Sequence, residues 1–141
     1  MFLNHFHQKP GFLSEYFYMG DIQVHRVVKH GKWADNRYAR DFYPKYAAGA
    51  SGYVLSKKII EYFSDNYDNL YPYPNEDASI GIYLDRAPFH DEIQYFSVQN
   101  SLMVWTGHKN CNTDRLVVGH HLDDVAMDVC MTGQRKLGNI E

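Results

Sequence analysis

Glycines at positions 49 and 52 and prolines at 72 and 74 punctuate the stretch from Tyr43 to Leu84, and they restrict the chain more than any other feature. Pro44 fixes its own φ and pushes Tyr43 toward extended geometry. Gly49-Ala50-Ser51-Gly52 permits a turn with positive φ, or a close approach of backbone to a ligand. Tyr53-Val54-Leu55 then reads as a short buried strand. Ser56 is a good N-cap, and Ile59, Ile60, Phe63 and Tyr67 recur at helical spacing, predicting an amphipathic helix that ends near Asn69. Pro72 and Pro74 cannot continue it, so residues 70–74 form a loop. Asn75 caps the next helix, with Glu76 and Asp77 in its first turn and Ile80, Tyr83 and Leu84 facing inward. A small-residue turn followed by an acidic helix start is the layout of a site that handles a polar ligand.

The flanking segments are read around that stretch. Phe2, Leu3 and Phe6, a Pro10-Gly11 break, then Phe12, Leu13, Tyr16 and Phe17 suggest two short helical stretches, and the segment begins as though its preceding element were missing. Ile22, Val24, Val27 and Val28 suggest a strand leading to Gly31-Lys32-Trp33. Residues 34–41, with Asp35, Arg37, Arg40 and Asp41, read as an exposed loop. Residues 93–98 and 102–105 read as two strands of a hairpin, and residues 116–118 as another strand. Leu122, Ala126, Val129 and Cys130 mark one stripe of a last helix that Gly133 ends, leaving residues 134–141 as a loose tail. Short strands and helices alternate without repeats, which favours an α/β layered fold and a single domain over residues 1–141.

Composition excludes some partners. A formal net charge of -3 with no basic stripe gives no reason to expect nucleic acid or an anionic membrane surface. Aromatic content of 16%, including twelve tyrosines, suits sugar rings, which present C–H faces and hydroxyl edges; on composition alone a tyrosine-rich core and surface is the plainer reading. Cys111 and Cys130 match no zinc spacing, and one bridge or two free thiols are both open. No run approaches the length of a membrane span, so membrane attachment would need an anchor upstream of Met1. There is no phosphate-cradling glycine pattern and no Gly-x-Ser-x-Gly elbow.

Each chemically suggestive residue has two readings. Glu76 and Asp77 either complement the dipole at a helix start, or one of them is a general base that accepts a proton from a substrate hydroxyl. His120-His121 either cap a helix at the surface, or one neutral imidazole ligates a divalent metal. Asp123-Asp124 is first-turn helix charge. Trp33 and Trp105 are core residues or sugar platforms.

Taken in order, Tyr18-Met19-Gly20, Gly31-Lys32-Trp33, Tyr43-Pro44, Tyr46-Ala47-Ala48-Gly49, Gly52-Tyr53-Val54-Leu55-Ser56, Glu76-Asp77 with Gly81, then Cys111 and His120 with Met127, resemble the inverting β1,3-glycosyltransferases of glycosyltransferase family 31, with about one extra residue in the Gly49–Gly52 turn relative to many members. The segment from Gly31 through Tyr62, with His90-Asp91, is most similar to the β1,3-galactosyltransferases of the proteoglycan linker. The resemblance implies the C-terminal part of a GT-A type, Rossmann-like domain, with a mixed sheet flanked by helices. It implies transfer of a hexose, galactose from UDP-galactose, to an acceptor sugar hydroxyl on a protein-linked or lipid-linked glycan. By similarity Asp77 is the catalytic base and Glu76 its neighbour. Gly49, Ala50, Ser51 and Gly52 line the substrate cleft with Trp33 and Tyr46, and His120 lies near a manganese ion, Mn2+, and the diphosphate. Residence in the Golgi lumen, through an upstream anchor, comes with the family.

Departures from the pattern limit what it implies. The family's Asp-x-Asp metal motif lies upstream of the Tyr18 element and has no equivalent here, so the chain reads as a partial catalytic domain, at best weakly active alone. Ala47-Ala48 stand where many members have Cys-Ser, and Tyr83 where many have Cys; by the resemblance, Cys111 then lacks the family's usual disulfide partner. Two other readings stay open: a non-catalytic carbohydrate-binding pseudoenzyme, and an N-acetylglucosaminyltransferase of the same family.

Overall fold

Residues 15–49 and 52–98 are described by the structure, a computed structural model, together with short pieces at 103–104, 118–119, 123–125, 127–128 and 132. The elements are β1 (Phe17–Gly20), β2 (Ile22–Gln23), β3 (Tyr46–Ala47), β4 (Tyr53–Leu55), helix α1 (Lys57–Asp65), helix α2 (Glu76–Asp85), β5 (Gln94–Ser97), β6 (Met103–Val104) and β7 (Val118–Gly119). Single 3-10 turns lie at Tyr67–Asn69 and His90–Glu92. The main sheet has the order β4-β1-β5, with β1 antiparallel to β4 and parallel to β5. It is a mixed sheet with helices against it, the α/β arrangement expected for part of a GT-A type domain.

Of the two short helical stretches expected before residue 18, residues 2–13 lie outside the described residues, and Tyr16 and Phe17 lead instead into β1, which begins at Phe17. Tyr18 and Met19 are buried and the strand is central, so pairing on both edges overrides the local periodicity. The strand expected over residues 22–28 is shorter, only Ile22–Gln23, paired with β3. Beyond it the chain makes a long excursion and returns in antiparallel fashion. Val27 N–H donates to Asp41 O at 2.8 Å, Tyr43 N–H donates to His25 O at 2.9 Å, and Arg26 bridges Phe42. Residues 34–41 are the mostly exposed loop their charges suggest, with Arg37, Arg40 and Asp41 at the surface, but Asp35 and Tyr38 lie in the interior, at 0% and 3% exposure.

Ser56 occupies the N-cap of α1, but its hydroxyl does not cap the helix. It accepts the Phe17 N–H at 3.2 Å, tying the helix start to β1. The helix stops at Asp65, before Asn69, and buries Ile59 while Ile60 and Tyr67 face solvent. Strand β4 is half-buried, with Val54 exposed, because it is the edge of the main sheet. No β5–β6 hairpin is present among the described residues: β5 pairs with β1, and β6 pairs in parallel with β7. Of the last helix, residues 124–125, 127–128 and 132 are helical, with Val125 exposed; its expected stripe, residues 122, 126, 129 and 130, the tail at 134–141 and both cysteines lie outside the described residues.

Helix α2 is the organising element. Its buried residues Ala78, Ser79, Gly81, Ile82 and Leu84 point in all directions around the axis, as in a helix covered on every side. Leu84 joins a core with Tyr18, Ala47, Ile59, Phe89 and Ile93; Ala78 and Ile82 join a second with Val27, Tyr38, Tyr43 and Tyr46. The expected inward residues Ile80 and Tyr83 are only half-buried, because the helix lies between two cores. At Gly81 the helix backbone lies directly on β3: a Cβ there would sit 2.7 Å from Lys45 O and 2.8 Å from Tyr46 Cβ.

That contact yields a prediction with a determined sign. Ala in a helix interior is favoured over Gly by about 1 kcal/mol, but overpacking against immovable backbone costs ~1–3 kcal/mol. Gly81→Ala therefore lowers stability in urea unfolding, whereas an exposed Gly-to-Ala change in a helix would raise it.

Candidate functional site

The acidic start of α2 meets the turn after β3. Gly49 N–H donates to Asp77 Oδ2 at 3.1 Å, and Ala78 N–H donates to Asp77 Oδ1 at 2.9 Å. Each carboxylate oxygen thus has one donor and a lone pair left for another. A Cβ on Gly49 would sit 3.3 Å from Asp77 Cβ and 3.6 Å from Glu76 Oε2, so a side chain here would crowd both acids. Gly52, at φ +71, turns the chain into β4, and its N–H donates to Gly49 O at 2.9 Å. The positive φ expected of this turn is present at Gly52, and the backbone at Gly49 approaches the chain's own Asp77 closely.

Glu76 is held separately. Its Oε1 accepts the Tyr53 hydroxyl, and the Tyr53 ring stands edge-on to Tyr18 at 5.8 Å. Burial first, then the hydrogen bond to Glu76, pushes the Tyr53 hydroxyl well above the ordinary tyrosine range, so it remains a donor. Tyr18, whose hydroxyl burial likewise pushes up, accepts the Ala47 N–H at 2.8 Å and so fixes β3 against β1. A half-buried Asp77 and an exposed Glu76 therefore sit side by side, each oriented by a different element.

Beneath them, Tyr46 is 9% exposed, with its ring 6.0 Å from that of Tyr43. It packs under α2 at Gly81 and forms the floor of the site, not the wall expected of it. Trp33 is 61% exposed, with Lys32 Nζ 4.5 Å from its ring centre. Its carbonyl accepts from Asn75 Nδ2 at 3.2 Å, which anchors this open aromatic face to the residue preceding Glu76. Ala50, Ser51 and His120 lie outside the described residues. Among the described residues no three His, Cys, Asp or Glu side chains come together to hold a metal ion. The described residues therefore do not by themselves fit a manganese site.

A family model described as Galactosyltransferase matches residues 4–93, the span holding Trp33, Tyr46, Gly49, Gly52, Tyr53, Glu76 and Asp77. The chain belongs to the galactosyltransferase family. Among relatives of this galactosyltransferase-family chain, human UDP-GalNAc:beta-1,3-N-acetylgalactosaminyltransferase 2 is 35% identical over 101 residues, 71% of this chain and 18% of that protein. The mouse protein of the same name is 38% identical over 69 residues, 48% of this chain and 14% of the relative. The Danio rerio protein is 41% identical over 58 residues, 41% of this chain and 12% of the relative. The chain thus spans less than a fifth of the length of these relatives. No helix among the described residues is long and apolar enough to cross a membrane.

Sequence reasoning passed over Tyr53 and Asp35. Tyr53 reads as a strand residue, and only the tertiary fold shows its hydroxyl reaching residue 76. Asp35 reads as loop charge, although an Asp followed by residues whose amides can fold back on it is an Asx-turn pattern. Its Oδ1 accepts the Arg37 and Tyr38 N–H groups at 3.0 and 3.1 Å.

The tyrosine floor sets an alkaline limit. Burial, with Asp77 next in effect, pushes Tyr46 up from 10.0 to about 12. Its folded-state proton affinity exceeds that of the unfolded chain, so the contribution is complete below pH 10.0 and declines as pH rises toward about 12. Urea unfolding across that range should show falling stability, and Tyr46→Phe should flatten the decline.

Proposed function

We propose that this chain supplies the acceptor side of a β1,3-hexosyl transfer site, using a UDP-sugar as donor and a glycan hydroxyl as acceptor. The observation that carries it is Asp77: a carboxylate on a helix start, locked by the Gly49 and Ala78 amides, with acceptor capacity left on each oxygen. Such a group takes the proton of an incoming hydroxyl while that oxygen attacks the anomeric carbon. The bond from that carbon to the diphosphate breaks, UDP leaves with the electron pair, and a single displacement inverts the centre. Glu76, exposed and steadied by Tyr53, is placed to accept a hydrogen bond from a neighbouring sugar hydroxyl. The exposed Trp33 ring offers a face for the acceptor ring.

For the donor, the relatives' names favour N-acetylgalactosamine over the galactose implied by the motif order. Dependence on manganese and a lumenal Golgi setting belong to the proposal through the resemblance alone, and no step is routed through the metal. The transferase reading is favoured over the pseudoenzyme by the relatives' names, all of them glycosyltransferases; an anchored Asp77 with open lone pairs would serve sugar binding as well as proton transfer.

The test is transfer from UDP-N-acetylgalactosamine, UDP-galactose and UDP-N-acetylglucosamine to a panel of simple β-hexosides, with manganese and with chelator, using the full-length protein. Asp77→Asn should lower kcat at least ~100-fold, the scale of a lost general base, with UDP binding retained. Full activity of Asp77→Asn would refute the assignment, and glycan binding without transfer from any donor would restore the pseudoenzyme reading. Trp33→Ala should raise the KM of the acceptor several-fold and leave that of the donor unchanged.

A further inference from the structure

A polar chain, buried at its Asp35 end and open at its Asn75 end, runs from the interior of the 24–45 excursion to the acidic helix start. Asp35 is fully buried, and its Oδ2 accepts the Tyr43 hydroxyl at 3.0 Å. The same hydroxyl accepts from Asn75 Nδ2 at 3.2 Å, and that amide nitrogen also donates to the Trp33 carbonyl at 3.2 Å. The polarity is determined at both ends: a main-chain carbonyl can only accept, so the Asn75 nitrogen faces it, and the Asp35 carboxylate accepts from the hydroxyl between them. Asn75 stands at the N-cap of α2 yet makes no side-chain cap; its side chain is committed to Trp33 and Tyr43. The excursion closes on Asp35 through the Arg37 and Tyr38 amides, and Lys29 Nζ donates to the Asp35 and Tyr38 carbonyls at 3.0 and 2.9 Å.

We propose that Asp35, acting through Tyr43 and Asn75, is a positioning residue that holds the Trp33 face and the Asp77 carboxylate in register for a single acceptor sugar. This rests on the reading of Asp77 as the base and of Trp33 as the acceptor face. The physical reason is that the two groups belong to elements with no covalent tie shorter than the whole turn and helix between them. The Asn75 side chain bonds to the residue 33 backbone while sitting two positions before Asp77. The Tyr43 ring is itself immobilised, stacked on Tyr38 at 5.3 Å, and burial raises its hydroxyl to about 12, so it remains a donor to Asp35 at any physiological pH. A rigid carboxylate at the far end thereby sets the orientation of an amide at the near end.

The experiment is steady-state kinetics of the full-length protein with UDP-N-acetylgalactosamine and the best β-hexoside of the panel. Tyr43→Phe keeps the ring and removes the link; Asn75→Asp keeps a good N-cap residue but cannot donate to Tyr43 or Trp33. Misplacement of a reacting group by about 1 Å costs up to roughly a hundredfold. Each variant should therefore lower kcat by about ten- to a hundredfold and raise the acceptor KM, while the donor KM and the melting temperature of Asn75→Asp stay near wild type. Unchanged kcat and acceptor KM in both folded variants would overturn the proposal, as would a parallel rise in both KM values, which marks general loosening. Full transfer by Asp77→Asn would instead overturn the reading beneath it, whatever the two linking variants do. If Tyr43→Phe fails to fold, Asn75→Asp decides alone.

Discussion

Helix α2 rests on strand β3 with no side chain between them at Gly81, and the remaining described structure is arranged to allow that contact. Backbone this close means that one element dictates the height and angle of the other. The turn leaving β3 then arrives at the helix start, where Gly49 meets Asp77. The two cores lie on either side of the same helix, so burial of Leu84 on one side and Ile82 on the other holds the axis without a long amphipathic stripe. A helix packed on all sides is a stiff support, which is what a reacting group at its N-terminus needs.

Tyrosine does much of the work that leucine and isoleucine do in other cores. Tyr18, Tyr43 and Tyr46 are buried rings whose burial raises their hydroxyl pKa values, so they stay neutral, and those of Tyr18 and Tyr43 serve as hydrogen-bonding groups. Tyr18 fixes a strand amide, Tyr43 links a buried carboxylate to an amide, and Tyr53 steadies an acid at the surface. A ring with a polar tip fills volume and places a donor in one residue, and this explains an aromatic content that composition alone leaves ambiguous between core and sugar binding.

Parts of this were legible in the chain. Local signals that depend on one residue's own chemistry held: the positive φ at Gly52, the break at Pro72 and Pro74, the helix beginning after Asn75 with two acids in its first turn. The ordered motifs carried the family, because those from Tyr18 to Gly81 lie within the span, residues 4–93, that matches the galactosyltransferase family. Signals that depend on partners did not hold. Phe17 lies in a central strand although its neighbours are spaced for a helix, and Ser56 and Asn75 stand at N-caps while spending their side chains on Phe17 and on Trp33 and Tyr43.

Sequence by itself determined where the chain turns, where α2 starts, and that an acidic pair stands there, because steric limits on glycine, proline and helix ends act within a few residues. Tertiary structure alone decided what those acids touch. Asp77 meets Gly49 across twenty-eight positions and Glu76 meets Tyr53 across twenty-three. Asp35, one charge among several in a polar segment, is the buried one because the excursion folds its own amides and Tyr43 around it. Charge type is written in the residue; burial is a property of what the rest of the chain brings to it.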